Sequence, residues 1–320
     1  MNRRTFLGGA LAVAATGIAG AAFARRTRSD VLRIGVMTNL THAPLLAGLG
    51  SGRIAAALAP VTIEARAFRA GPRVTEALLG DAIDAGTAGP AAIVVHHARH
   101  GRLRVLTGCA SGGASFMVTK GSEIRSAEDL HGKVLAVTQI GTTQDVALRA
   151  WLRRGGLRDE TAGGDVRILA VAASVILDQM KRGELHGAWL AEPWATRVEQ
   201  EIGAVRLVDE RDLWPNRAFS TAALATRDDH AADPRIAKLV AALKDEVERA
   251  RSSPKETLDE AYTQMKEWVG NPGSRRIFDA AAKYVDFTSD PLPASFARFA
   301  RDAADLGLTP DPNGDRGLYL

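Results

Sequence analysis

KVLAVTQIGTTQDVALRAWL, residues Lys133 to Leu152, reads as a strand running straight into a helix start built to hold an anion. Lys133 to Thr138 is a short β-branched and aliphatic run bounded by Gly132 and Gly141, whereas Val146, Ala150 and Trp151 recur with helical spacing. Between them Gly141 permits a sharp turn, Thr142 is a good N-cap, and Asp145 completes a capping box. Free N–H groups and the positive dipole end of such a start favour a phosphate, sulfonate, nitrate or carboxylate; a self-capped helix without ligand is the plainer alternative.

The same alternation extends outward in both directions. Upstream, Val31 to Met37 predicts a first strand, Asn39 to Pro44 a loop entering a helix through Leu49, and Val61 to Phe68 a second strand. Pro72 to Leu79 reads as a helix, Ala82 to Ala85 as a third strand ending in Gly86-Thr87-Ala88-Gly89-Pro90, and Ala91 to His100 as a helix. After Val105 to Thr107 and the flexible Ser111-Gly112-Gly113, a strand Ser115 to Thr119 opens a second unit of the same kind. That unit continues through Val166 to Val171, a helix to Met180, and Gly187 to Leu190, with Glu192-Pro193-Trp194 leading into another helix. Ala222 to Thr226 predicts a strand returning to the first unit, and from Pro234 the chain is helical over 235–251, 254–269, 275–284 and 293–306. Alternating strands and helices argue for an α/β protein of two lobes, the second inserted in the first.

In open parallel sheets the ligand crevice lies beyond the carboxyl ends of the strands. Four loops are therefore predicted to line it: 39–42, 86–89, 141–144 and 192–194. Three of them carry no carboxylate and are rich in Thr, Gly and amide groups, which cradle an anion through N–H and O–H donors without a metal. His42 is a candidate donor or ion-pair partner, against a helix-start histidine bonded to backbone. Glu192 is read as accepting from an ammonium group or holding an arginine, and Leu40, Trp194 and Trp214 as shaping room for an organic part.

Composition narrows the function class. With 320 residues, 46% hydrophobic and 24% charged, the chain can bury one large core or two medium ones. The net charge of +4 is spread among interspersed acids and bases, which is no nucleic-acid footprint. Asn2-Arg3-Arg4-Thr5-Phe6-Leu7, an apolar Gly- and Ala-rich run, and Ala22-Phe23-Ala24 match a twin-arginine export signal over residues 1–24, cleaved before Arg25. Export places the mature chain in the periplasm, and the single Cys109 is expected to be a small buried filler.

His96 and His100 are spaced to share a helix face, but with no acidic ligand nearby and Gly101 following they read as cations at a helix C-terminus, and no metal is expected. Gly48, Gly50 and Gly52 close a helix instead of opening one, so they fail as a dinucleotide loop. There is no G-x-S-x-G elbow and no Walker loop, so no catalytic residue and no cofactor are expected.

Taken together, the chain resembles the aliphatic sulfonate, nitrate and taurine family of substrate-binding proteins of ABC transporters. The resemblance covers essentially the whole mature chain and rests on TNLTHAPLLAGL at Thr38 to Leu49, GPAA at Gly89 to Ala92, ASGGASFMV at Ala110 to Val118, and DLHGKVLAV at Asp129 to Val137. GTTQDVALRAWL at Gly141 to Leu152, AWLAEPWATRV at Ala188 to Val198, VDERDLWPN at Val208 to Asn216 and the closing helix Ser289 to Leu308 extend it. It implies a periplasmic-binding-protein type II fold, with lobe 1 at residues 29–115 and 220–320 and lobe 2 at 116–219. Two crossing segments would close the lobes on a small organosulfonate or related oxyanion, delivered by a monomer to an inner-membrane ABC permease. The contacts it implies are Asn39, Thr41, His42, Thr87, Gly89, Thr142, Thr143 and Glu192, to which the reading of the loops adds Leu40, Gly141 and Trp194. An enzyme of the related pyrimidine-synthase branch of thiamine biosynthesis, or a ligand sensor docking on a membrane receptor, are the alternatives.

Overall fold

Two mixed sheets organise the chain. The computed structural model describes residues 30–319, so the segment 1–24 read as an export signal lies outside the described residues. The first sheet holds β1 (Val31–Met37), β2 (Thr62–Phe68), β3 (Ala85–Ala88), β4 (Leu103–Gly112), β10 (Ser220–Arg227) and β11 (Val285–Phe287), ordered β11-β4-β10-β3-β1-β2. The second holds β5 (Ala114–Val118), β6 (Val134–Val137), β7 (Arg167–Ala170), β8 (Gly187–Ala191) and β9 (Val205–Asp209), ordered β7-β6-β8-β5-β9. In each, a parallel trio (β2-β1-β3 and β7-β6-β8) is extended by antiparallel strands that carry the chain from one sheet to the other.

Helices follow the parallel strands because each must cover an apolar sheet face. α1 (Ala43–Gly50) and α2 (Arg53–Leu58) follow β1, α3 (Gly71–Leu79) follows β2, and α4 (Pro90–His100) follows β3. In the second sheet, α5 (Thr143–Arg154) follows β6, α6 (Ala173–Lys181) follows β7, and α7 (Trp194–Ile202) follows β8. After β10 come α8 (Pro234–Ser252), α9 (Pro254–Val269), α10 (Arg275–Ala281) and α11 (Pro293–Asp305). Pro at the first turn of α8, α9 and α11 pre-sets a helical φ where the missing N–H costs nothing.

Four strands depart from expectation: β3, β4, β9 and β11. β4 runs from Leu103 to Gly112, where only Val105 to Thr107 was expected, so Ser111 and Gly112 are strand and not a flexible link. The third strand is Ala85–Ala88, not 82–85, and Gly86 and Thr87 belong to it instead of to the loop after it. Gly86 pairs with Gly35 of β1, and a Cβ there would sit 2.7 Å from Val74 Cγ1, so glycine serves close packing and not a turn. Strands β9 and β11 were not anticipated, since β9 lies at a sheet edge and β11 is three residues long at the end of β4.

One apolar cluster joins the two sheets, running from Val74, Val94 and Phe299 to Phe116, Leu148 and Trp189. Trp214 belongs to its margin: its ring stacks on Phe219 at 5.3 Å and meets Phe299 at 5.1 Å, so it fills core and does not wall a ligand. Cys109 is fully buried in the first sheet's outer core, where burial pushes its thiol up to about 12. Among the described residues no helix is long and apolar enough to cross a membrane.

Candidate functional site

Six parallel strands end at one seam, and the residues after each line a cavity of about 630 Å³ between the sheets. After β1 come Thr38, Asn39, Thr41 and His42; after β2, Arg69; after β3, Gly89. From the second sheet come Thr138, Gln139 and Thr142 to Gln144 after β6, Ala172 to Ser174 after β7, and Trp194 and Arg197 after β8. Helices α3 to α7 thus start at this cavity, and their first N–H groups have no intrahelical partner. No Asp or Glu stands among the lining residues.

Local hydrogen bonds set each loop. Asn39 caps the turn at residues 40–42: its Oδ1 accepts from Thr41 N at 3.1 Å and from Thr41 Oγ1 at 2.7 Å. Its amide NH2 is left to donate. The Thr142 hydroxyl donates to Gln139 O at 2.8 Å and accepts from Asp145 N at 3.3 Å, so it caps α5 as expected. The reciprocal bond of the box reaches one residue further out, from Gly141 N to Asp145 Oδ2 at 2.8 Å. Asp145 itself is fully buried and pairs with Arg149 at 2.7 Å, which keeps its charge occupied within α5.

His42 Nδ1 lies 2.8 Å from Thr87 Oγ1, and burial pushes its pKa down to about 3. Burial thus favours the neutral imidazole and counts against the ion-pair role. In the tautomer whose Nδ1 accepts the Thr87 proton, Nε2–H is the remaining donor.

Of the predicted residues, Asn39, Thr41, His42, Gly89, Thr142, Thr143 and Trp194 line the cavity. Leu40, Thr87, Gly141 and Glu192 do not. Leu40 is fully buried in the core beneath the first loop, and Thr87 is withdrawn because β3 runs on through Ala88. Gly141 has turned its N–H to Asp145. Glu192 is fully buried; it meets Arg206 at 2.8 Å and accepts from Thr196 N at 3.0 Å, so it holds an arginine, the second of its two expected roles. Burial raises its pKa against the pull of Arg206.

The seam is also where the sheets touch. Leu40 N–H donates to Glu192 O at 3.1 Å, and Ala91 N–H reaches Thr143 Oγ1 at 3.4 Å. Arg197 donates to Glu201 at 2.8 Å and lies 4.7 Å from the Trp194 ring centroid, facing Gly273 from across the seam.

Sequence reasoning missed the loops after β2 and β7, and with them Arg69 and Ser174; it also missed Arg197, one turn beyond the predicted loop after β8. The strand-end rule that found four loops applies equally to Phe68 and Ala170, so the signal was present. Met265, Val269 and Asn271 line the mouth from α9 and the turn after it, and no local motif marks them. His96 is bonded to Thr75 and His97 to Arg316 O at 2.9 Å. Burial lowers the His96 pKa, so the helix-end cation reading does not extend to that residue.

The profile of the NMT1-like family matches residues 26–262. A protein of Brucella abortus (strain 2308), named as a binding protein, is 25% identical over 198 residues; the match covers 61% of this chain and 60% of that relative's length. Among solved structures, the alkanesulfonate-binding protein SsuA from Xanthomonas axonopodis pv. citri, bound to MOPS, superposes with a TM-score of 0.74 at 19% identity, covering 91% of this chain and 98% of that one. The periplasmic nitrate-binding protein NrtA from Synechocystis PCC 6803 gives 0.71 at 16% identity, covering 88% and 82%. The fold is therefore the periplasmic-binding-protein type II fold shared by these proteins.

Proposed function

Because this chain belongs to the NMT1-like family, we propose that it is the exported solute-binding protein of an ABC importer, capturing a small organosulfonate or related oxyanion without catalysis. The observation that carries this reading is the convergence of five helix starts from both sheets on a cavity that no carboxylate lines. Such a site repels cations and offers pre-aimed N–H donors to negative oxygens.

In this reading the first sheet with its helices is lobe 1 (residues 29–115 and 220–320) and the second is lobe 2 (116–219). Asn39, Thr41, His42, Gly89, Thr142, Thr143 and Trp194 meet the ligand, while Leu40, Thr87, Gly141 and Glu192 hold those loops in place. Thr142 contributes backbone more than hydroxyl, since the hydroxyl is spent on the cap. Gly112, which ends β4, and Gly113, which precedes β5, are both at φ +75° and supply one crossing; residues 210–219 supply the other. Closure about these two segments would bring the loops of both lobes onto the ligand. The released chain acts as a monomer in the periplasm and hands its solute to a membrane permease.

Differential scanning fluorimetry with alkanesulfonates, taurine, nitrate, sulfate and bicarbonate tests the reading. A ligand present at a hundredfold above its Kd adds about 2.7 kcal/mol to stability and raises the melting temperature. At least one of these anions is expected to do so; a chain stabilised only by neutral metabolites overturns the proposal.

A further inference from the structure

Helix starts and hydroxyls account for one anionic head, yet the cavity is also lined by two guanidiniums that this cradle does not need. Arg69 stands in the turn between β2 and α3, on the first sheet's side; Arg197 stands on α7, on the second. Arg69 is exposed and has no hydrogen-bond or ion-pair partner among the described residues. Arg197 shares one edge with Glu201 and keeps its terminal nitrogens for another acceptor. The same wall also carries Met37, Leu190, Trp194, Met265 and Val269, apolar side chains suited to a carbon skeleton. The volume falls in the range of sites that enclose a whole organic molecule, which an inorganic oxyanion would leave mostly filled with water.

Resting on the anion-binding reading above, we propose that the solute is an organic dianion. One acidic group is held by the helix starts, and a second, a carboxylate or sulfonate at the far end of the skeleton, bridges Arg69 and Arg197. Guanidinium forks match such groups with paired N–H···O bonds. Because the two arginines belong to opposite sheets, the second acidic group also ties the two halves together, so closure on a monoanion leaves both guanidiniums without that partner. Arg69 and Arg197 are thus specificity residues for the second charge.

Calorimetry at fixed ionic strength on the full chain, with two matched pairs, tests this: propane-1-sulfonate against 3-sulfopropanoate, and benzenesulfonate against 4-sulfobenzoate. In at least one pair the dianion is expected to bind tenfold or more tighter than its monoanion. Arg69→Gln and Arg197→Gln should each bring that ratio below threefold, and Arg69→Lys should recover part of it. Monoanions and dianions that bind alike, or a preference both glutamine variants retain, overturn the proposal and leave the anion-binding reading standing. Failure of all four compounds to bind also overturns it, and the anion-binding reading falls with it only if the wider anion screen is blank as well.

Discussion

His42 sits where a charge would be useful to an anion, and its surroundings refuse that charge. Its ring is buried against Thr87, and with a pKa pushed down to about 3 it stays neutral where an ordinary histidine protonates near 6.5. Below about pH 6.5 the unfolded chain binds a proton that the folded chain rejects, so stability is unaffected above that value and falls on acidification toward pH 3. The slope is at most about 1.4 kcal/mol per pH unit. Urea unfolding of His42→Gln should therefore show a smaller loss between neutral and acidic buffer than the parent. His42→Ala should weaken binding of any anion found by the screen by about 1 to 3 kcal/mol, read by calorimetry, because one donor to a buried charge is removed. Gly89 is decided by space: a Cβ there would run into Thr143 Oγ1 from the other sheet. Gly89→Ala should hold the halves apart, weakening binding at least tenfold and leaving the radius of gyration in saturating ligand larger than the parent's by X-ray scattering. Thr143→Ala on that background should recover part of the loss.

At the scale of elements, the outer helices of the first sheet are fastened by one arginine. Arg53 on α2 donates to Glu246 of α8 at 2.6 and 2.7 Å and to Glu260 of α9 at 2.8 and 2.6 Å, with the Glu246 side chain 5% exposed. Arg53→Met keeps the aliphatic stem but strands a buried carboxylate, so a loss of about 3 kcal/mol is expected in chemical denaturation. Glu246→Gln on that background should restore much of it. Elements were legible where caps and periodicity agreed: β1 and α9 match the sequence reading residue for residue, α8 differs by one residue at each end, and α11 by one at its C-terminus. They were not legible where glycine had two uses. Gly86 reads locally as a turn, and only its neighbours Gly35 and Val74 make it part of a strand. Moving that strand by three residues is what took Thr87 off the cavity wall.

Across the whole molecule, the second crossing carries a buried acid. Glu210, fully buried, accepts from Trp189 Nε1 at 2.7 Å with its other oxygen unpartnered among the described residues, and burial pushes its pKa up to about 8. The folded chain keeps a proton that the unfolded chain releases above about 4.5, so this group's contribution to stability is present below 4.5 and is lost as pH rises toward 8. Glu210→Gln keeps the shape without the charge; its melting temperature should match the parent's in acid and exceed it by a few degrees near pH 8. By itself the sequence determined the alternation of elements, the capped helix at Thr142 and the strand ends from which a site had to be built, because these depend on residues close in the chain. Tertiary structure alone decided which loops share one wall, that Arg69 and Arg197 join them, and that His42 is neutral and Glu192 spoken for. A cavity wall shared by residues 128 positions apart, and the loss of water that sets a buried group's charge, exist only once both sheets are packed.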